Sequence, residues 1–90
     1  METRYSKQSQ KYLRKIDSDS KERIKKGIEG LKNTPITGDV RPMEDTRQGD
    51  YRLRIGGFRV MFSFGKEIIN GKEEKVLLIL KIGKRGDIYK

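Results

Sequence analysis

Ninety residues set the scale of one domain, 1–90, and only 32% of them are apolar, so most apolar side chains must serve one small core. The chain has no cysteine and no histidine, which excludes a disulfide framework, thiol-ligated metals and the usual general base near neutral pH. Lys and Arg number 22 against 13 Asp and Glu, a net charge of +9 that suits a polyanion partner, because each phosphate contact releases counterions.

Met1–Tyr5 reads as a short edge strand. Ser6 can cap a first helix running to Ile16, with Tyr12, Leu13 and Ile16 on one face. Asp17 to Ser20 is a turn in which Asp19 and Glu22 have capping-box spacing. A second helix is expected from Ser20 to Lys32, because Ile24, Ile28 and Leu31 make one apolar stripe. Gly27 and Gly30 weaken that helix alone and so predict close packing on a neighbour. Asn33-Thr34-Pro35 ends it, leaving a helical hairpin.

Residues 34–50 hold two prolines and mixed charge, and are expected as a loop anchored by Val40 and Met43. Two alternating strands follow, Tyr51–Ile55 and Phe58–Phe64, separated by Gly56-Gly57. Asn70-Gly71 marks a turn before a third strand, Lys75–Ile82, whose apolar run Val76 to Leu80 predicts a central, doubly buried position. The fold class is α+β: two N-terminal helices packed on a small antiparallel sheet, in the order β-α-α-β-β-β. The chain has no apolar run of 18 residues to span a membrane, and METRYSKQSQK lacks the apolar stretch of a secretory signal. Cytoplasmic residence fits both observations.

The two-residue turn fixes a register. It pairs Ile55 with Phe58, Arg54 with Arg59, Leu53 with Val60, Arg52 with Met61 and Tyr51 with Phe62. Tyr51, Leu53, Ile55, Phe58, Val60 and Phe62 then share the core side, and Arg52, Arg54 and Arg59 share the other. Like charges opposite one another cost on the order of 0.2–1 kcal/mol. The arrangement makes sense if an anion lies between them, since planar bidentate donors suit phosphate oxygens. A second basic set, Lys81, Lys84, Arg85 and Lys90, surrounds Tyr89, a pattern suited to single-stranded RNA with a base stacked on the ring.

Glu44, Asp45 and Asp50 crowd one loop too closely to argue a two-metal site, and no cofactor is called for. RNA can be cut without metal if its own 2′-hydroxyl attacks the adjacent phosphate in line. The protein must then hold that geometry and stabilise the phosphorane. Arginines do both, but they transfer protons poorly, with a pKa above about 12.

Tyr-Arg-Leu-Arg-Ile-Gly-Gly-Phe-Arg-Val-Met-Phe at 51–62, Arg41-Pro42-Met43 before it and Ile-Gly-Lys-Arg-Gly-Asp-Ile-Tyr at 82–89 resemble the RelE/ParE toxin superfamily, the RelE branch above all. The resemblance implies the toxin of a type II toxin–antitoxin system. It would be a metal-independent endoribonuclease that cuts mRNA in the ribosomal A site and is neutralised by a cognate antitoxin. It implies catalytic roles for Arg52, Arg54, Arg59, Arg85 and Tyr89. Arg59 would contact phosphate, Arg85 would protonate the leaving group, and Tyr89 would stack on a base. The best-known member has lysines at the positions of Arg52 and Arg54, which makes a phosphate clamp the safer role for these arginines. Lys81, Lys84 and Lys90 are expected RNA contacts. Two other readings stay open: a ParE-like toxin acting on DNA gyrase, and a non-catalytic RNA-binding module.

Overall fold

A computed structural model describes residues 1–43 and 50–84. The elements are β1 (Glu2–Tyr5), α1 (Lys7–Lys15), α2 (Ser18–Gly30), β2 (Asp39–Pro42), β3 (Tyr51–Ile55), β4 (Phe58–Ile69) and β5 (Lys72–Lys84). The α+β class is as expected, but the sheet has five strands, ordered β1-β5-β4-β3-β2, and is mixed. β1 runs parallel to β5, and every other pair is antiparallel. β2 lies inside the stretch read as a loop. With only Val40 turned inward and Pro42 at its end, its alternation is too short to stand out from the surrounding loop, and its edge position tolerates the proline.

Both helices begin on a side-chain cap. Ser6 accepts from the Ser9 N–H at 3.1 Å and Asp17 from the Ser20 N–H at 3.0 Å. The second helix therefore starts at Ser18, two residues before the expected start, and Asp19 sits in its first turn, where a negative charge meets the helix dipole favourably.

α1 lies along β5 and α2 along β3. Leu13, Ile24, Ile28 and Leu31 from the helices close over Leu53, Val60, Phe62, Leu77, Ile79 and Ile82 from the sheet. Tyr51 stacks on Phe62 at 5.5 Å between ring centres, and Phe64 meets Phe62 edge-on at 5.8 Å. Gly27 makes the α2–β3 approach possible, since a Cβ there would fall 2.5 Å from Ile55 Cδ1.

Two tight turns organise the antiparallel part. Gly56 (φ 56°) opens the β3–β4 turn, and Asn70-Gly71 (φ 51° and 80°) has the type I′ conformation between β4 and β5. The β3–β4 register is the one expected from the glycine pair. β4 and β5 continue past Phe64 and start before Lys75 respectively, so the sequence underestimated both. Their pairing skips one residue: Met61 faces Lys81 and Phe62 faces Ile79, leaving Leu80 as a bulge. β5 is internal, as its apolar run predicted, although Leu80 is exposed.

The side of β5 beyond β1 is closed by α1. The Gln8 amide donates to the Ile82 carbonyl at 2.7 Å and accepts from the Ile82 N–H at 2.9 Å, as a neighbouring strand would. The Ser6 hydroxyl donates to the Leu80 carbonyl at 2.8 Å. Among the described residues no helix is long and apolar enough to cross a membrane.

Candidate nucleic-acid interface

Pairing across the sheet assigns each side chain to a face. On the face away from the helices, one row runs Asp39, Arg54, Arg59, Gly83 and the next runs Arg41, Arg52, Met61, Lys81. Five cationic side chains therefore share these two rows with one carboxylate among the described residues. Asp39 lies beside Arg41, with Oδ1 3.8 Å from Nε, a loose and exposed pair worth little in stability.

The expected arginine face thus exists, but its members differ. Arg54 is exposed and Arg52 half-buried. Arg59 is only 4% exposed: its Nη1 donates to the carbonyls of Phe58 at 2.9 Å and Gly56 at 3.1 Å. Arg54 and Arg59 form a non-hydrogen-bonded pair, the closer of the two antiparallel spacings. Folding the Arg59 guanidinium onto the turn carbonyls gives both Nη1 donors partners and relieves repulsion from Arg54. The three arginines share the face as expected, with Arg54 exposed, Arg52 half-buried and the Arg59 guanidinium turned onto the turn carbonyls.

Lys81 lies on the arginine face, directly across from Met61. Lys84 does not: it pairs with Phe58 and so points to the helix side. Arg85, Tyr89 and Lys90 lie outside the described residues, as do Glu44 and Asp45.

Two residues join the site that sequence reasoning had not placed there. Arg41 comes onto the face through β2, opposite Arg52. Its signal was the alternation Asp39-Val40-Arg41, with a single apolar residue between two charged ones. Arg23 of α2 borders the Gly56 turn, its Nη2 only 2.8 Å from where a Cβ on Gly56 would stand. Nothing in the sequence links those two positions.

The rows and the turn are carried by a span that also carries a family signature. The sequence model of the family described as ParE toxin of type II toxin-antitoxin system, parDE, matches residues 3–89. The chain belongs to this toxin family. The match supports the RelE/ParE superfamily and makes the protein the toxin of a type II pair, with a cognate antitoxin as its partner. No curated protein and no solved structure matches the chain.

For the toxin, the basic face is the part whose composition goes beyond folding needs. Arg41, Arg52, Arg54 and Lys81 add nothing to the apolar core, and strand alternation holds their Cα positions in a fixed grid. A chain of phosphates about 6–7 Å apart can be met by such a grid, since rows within a strand repeat every two residues at about 6.8 Å.

Proposed function

We propose that the toxin is a ribosome-dependent endoribonuclease that cleaves mRNA in the A site and so stops translation. The observation that carries this reading is the pair of cross-strand rows that set Arg41, Arg52, Arg54, Arg59 and Lys81 against the carboxylate of Asp39. Arg52 and Arg54 clamp the scissile phosphate and its neighbour. Positive charge fixed there favours the dianionic phosphorane over the monoanionic ground state. The RNA 2′-oxygen attacks phosphorus, the bond to the 5′-oxygen breaks, and the products are a cyclic phosphate and a 5′-hydroxyl. The 2′-hydroxyl gives up its proton to a water molecule at the site, and the leaving 5′-oxygen takes one. Arg85 is the proposed donor, and Tyr89 the proposed stacking partner that orients the base. Because arginine is a poor base, the ribosome must supply much of the geometry, so cleavage of naked RNA is slow.

A second reading, inhibition of DNA gyrase, is favoured by the family description itself and by the inward engagement of Arg59. Induced expression separates the two. The first reading expects growth arrest with mRNA cut at A-site codons, lost in Arg52→Ala/Arg54→Ala. Arrest with DNA damage and intact mRNA would establish the second.

A further inference from the structure

Strand edges in this fold are treated unequally. On β5, side chains of α1 occupy the outward backbone groups of Leu80 and Ile82. On β4, pairing with β3 stops at Phe62, and the strand runs on to Ile69 without a neighbour on that side among the described residues. In a hairpin closed by a two-residue turn, the residues flanking the turn form a hydrogen-bonded pair. Ile69, Glu67, Gly65 and Ser63 therefore bond to β5, and Phe64, Lys66 and Ile68 direct their N–H and C=O outward. No described residue bonds to those outward groups.

The side chains of the same three residues share one face. Ile68 is 70% exposed, the highest value among the large apolar side chains of the described residues, and Phe64 is only partly buried. Lys66 faces Lys75 across the hairpin; Lys66 Nζ lies 3.1 Å from the Glu73 carboxylate, and Lys75 Nζ stands 4.5 Å from the Phe64 ring centre. A long edge with an exposed isoleucine is a liability unless something covers it.

The charge pattern says what covers it. From Ser63 to Lys75 the chain carries Lys66, Lys72 and Lys75 against Glu67, Glu73 and Glu74, so this arm is neutral within a chain of net charge +9. A polyanion finds no excess charge here. A second copy fits poorly, because self-pairing here would bring together two molecules that each carry a net charge of +9. A different protein with an extended apolar segment and a carboxylate near Lys66 fits both backbone and charge.

We propose that the cognate antitoxin docks by adding a strand to β4 along Phe64–Ile68, with apolar side chains against Phe64 and Ile68 and an acidic one beside Lys66 and Lys75. The proposal rests on the toxin's family membership for the partner's identity, and is independent of whether the toxin cuts RNA. The antitoxin would thereby hold the toxin from a side other than the basic face.

Amide hydrogen exchange of the full-length toxin, alone and with the product of the neighbouring antitoxin gene, tests it. The amides of Phe64, Lys66 and Ile68 should slow at least tenfold on complex formation. Lys66→Pro removes one outward donor without touching the bonds to β5 and should weaken antitoxin binding about tenfold or more, with Ile68→Lys as a second variant. Unchanged exchange at the three amides in a formed complex overturns the proposal, as does failure of the two proteins to bind. Protection that grows with toxin concentration alone identifies a second copy instead and also overturns it. Protection by single-stranded RNA alone does the same.

Discussion

Arg54 and Arg59 face each other across a two-residue turn, yet they should respond differently to substitution. Arg54 is exposed, so Arg54→Gln should leave urea stability within about 0.5 kcal/mol. It should cut mRNA cleavage on the ribosome by about a hundredfold, the usual scale for losing one charge-stabilising donor. Arg59 holds the carbonyls of Gly56 and Phe58, so Arg59→Met should lower stability by about 1–2 kcal/mol as well as activity. Equal stability losses in the two variants would contradict the assignment. Asp17 offers a check by pH. Hydrogen bonds from the Ser20 side chain and then its N–H hold the Asp17 carboxyl below its ordinary value of 3.8. Folding therefore favours the carboxylate, and the stabilisation is present above that ordinary value and lost as pH falls through the lower folded one. Asp17→Asn, which keeps a capping oxygen, should remove this part of the acid sensitivity. Thermal melts of both proteins across the acid range measure it.

At the scale of elements, α1 acts as a side-chain substitute for a missing strand. Gln8→Ala breaks two hydrogen bonds to Ile82 and is expected to cost about 1–2 kcal/mol and to speed exchange of the Ile82 amide, with little change at β3. What could be read in advance follows the range of the interactions. The β3–β4 hairpin was legible because Gly56-Gly57 and the flanking alternation are local. The two helices were legible from Ile24, Ile28 and Leu31 and from their caps, with α2 starting and ending two residues earlier than expected. The parallel pairing of β1 with β5 was not, because Tyr5 and Ile79 meet across nearly the whole chain and leave no local pattern. Nor was the inward turn of Arg59. Alternation assigns a Cβ to a face but not a guanidinium to its partner. The end of β4 was missed because Gly65-Lys66-Glu67 breaks the alternation that marks its first half. Of the expected site, Arg52, Arg54 and Lys81 came together, Lys84 fell on the other side, and Arg85, Tyr89 and Lys90 lie outside the described residues.

For the molecule as a whole, charge is distributed by function and not evenly. The arm beyond Phe62 is neutral, and the net charge of +9 lies elsewhere. With Arg59 turned inward, Arg41, Arg52, Arg54 and Lys81 are the other cations of the two rows. The logarithm of affinity for single-stranded RNA should therefore fall with the logarithm of salt at a slope of about −3, roughly −0.7 per phosphate contact. Arg54→Gln should make that slope shallower by about 0.7, measured by fluorescence anisotropy on a short RNA.

The skipped residue between the two long strands has a wider consequence. In β5, Leu77 and Ile79 point to the core, and an uninterrupted strand would carry the same parity to Lys81 and Gly83. Leu80 acts as a phase shifter. After it, Ile82 takes the inward role, and Lys81 is delivered to the basic face beside Met61. One strand thus serves two masters in sequence, and a single apolar residue sets the hand-over. Deleting Leu80 would remove the bulge and restore an uninterrupted ladder, with Lys81 still outward beside Met61 and Ile82 still inward opposite Val60.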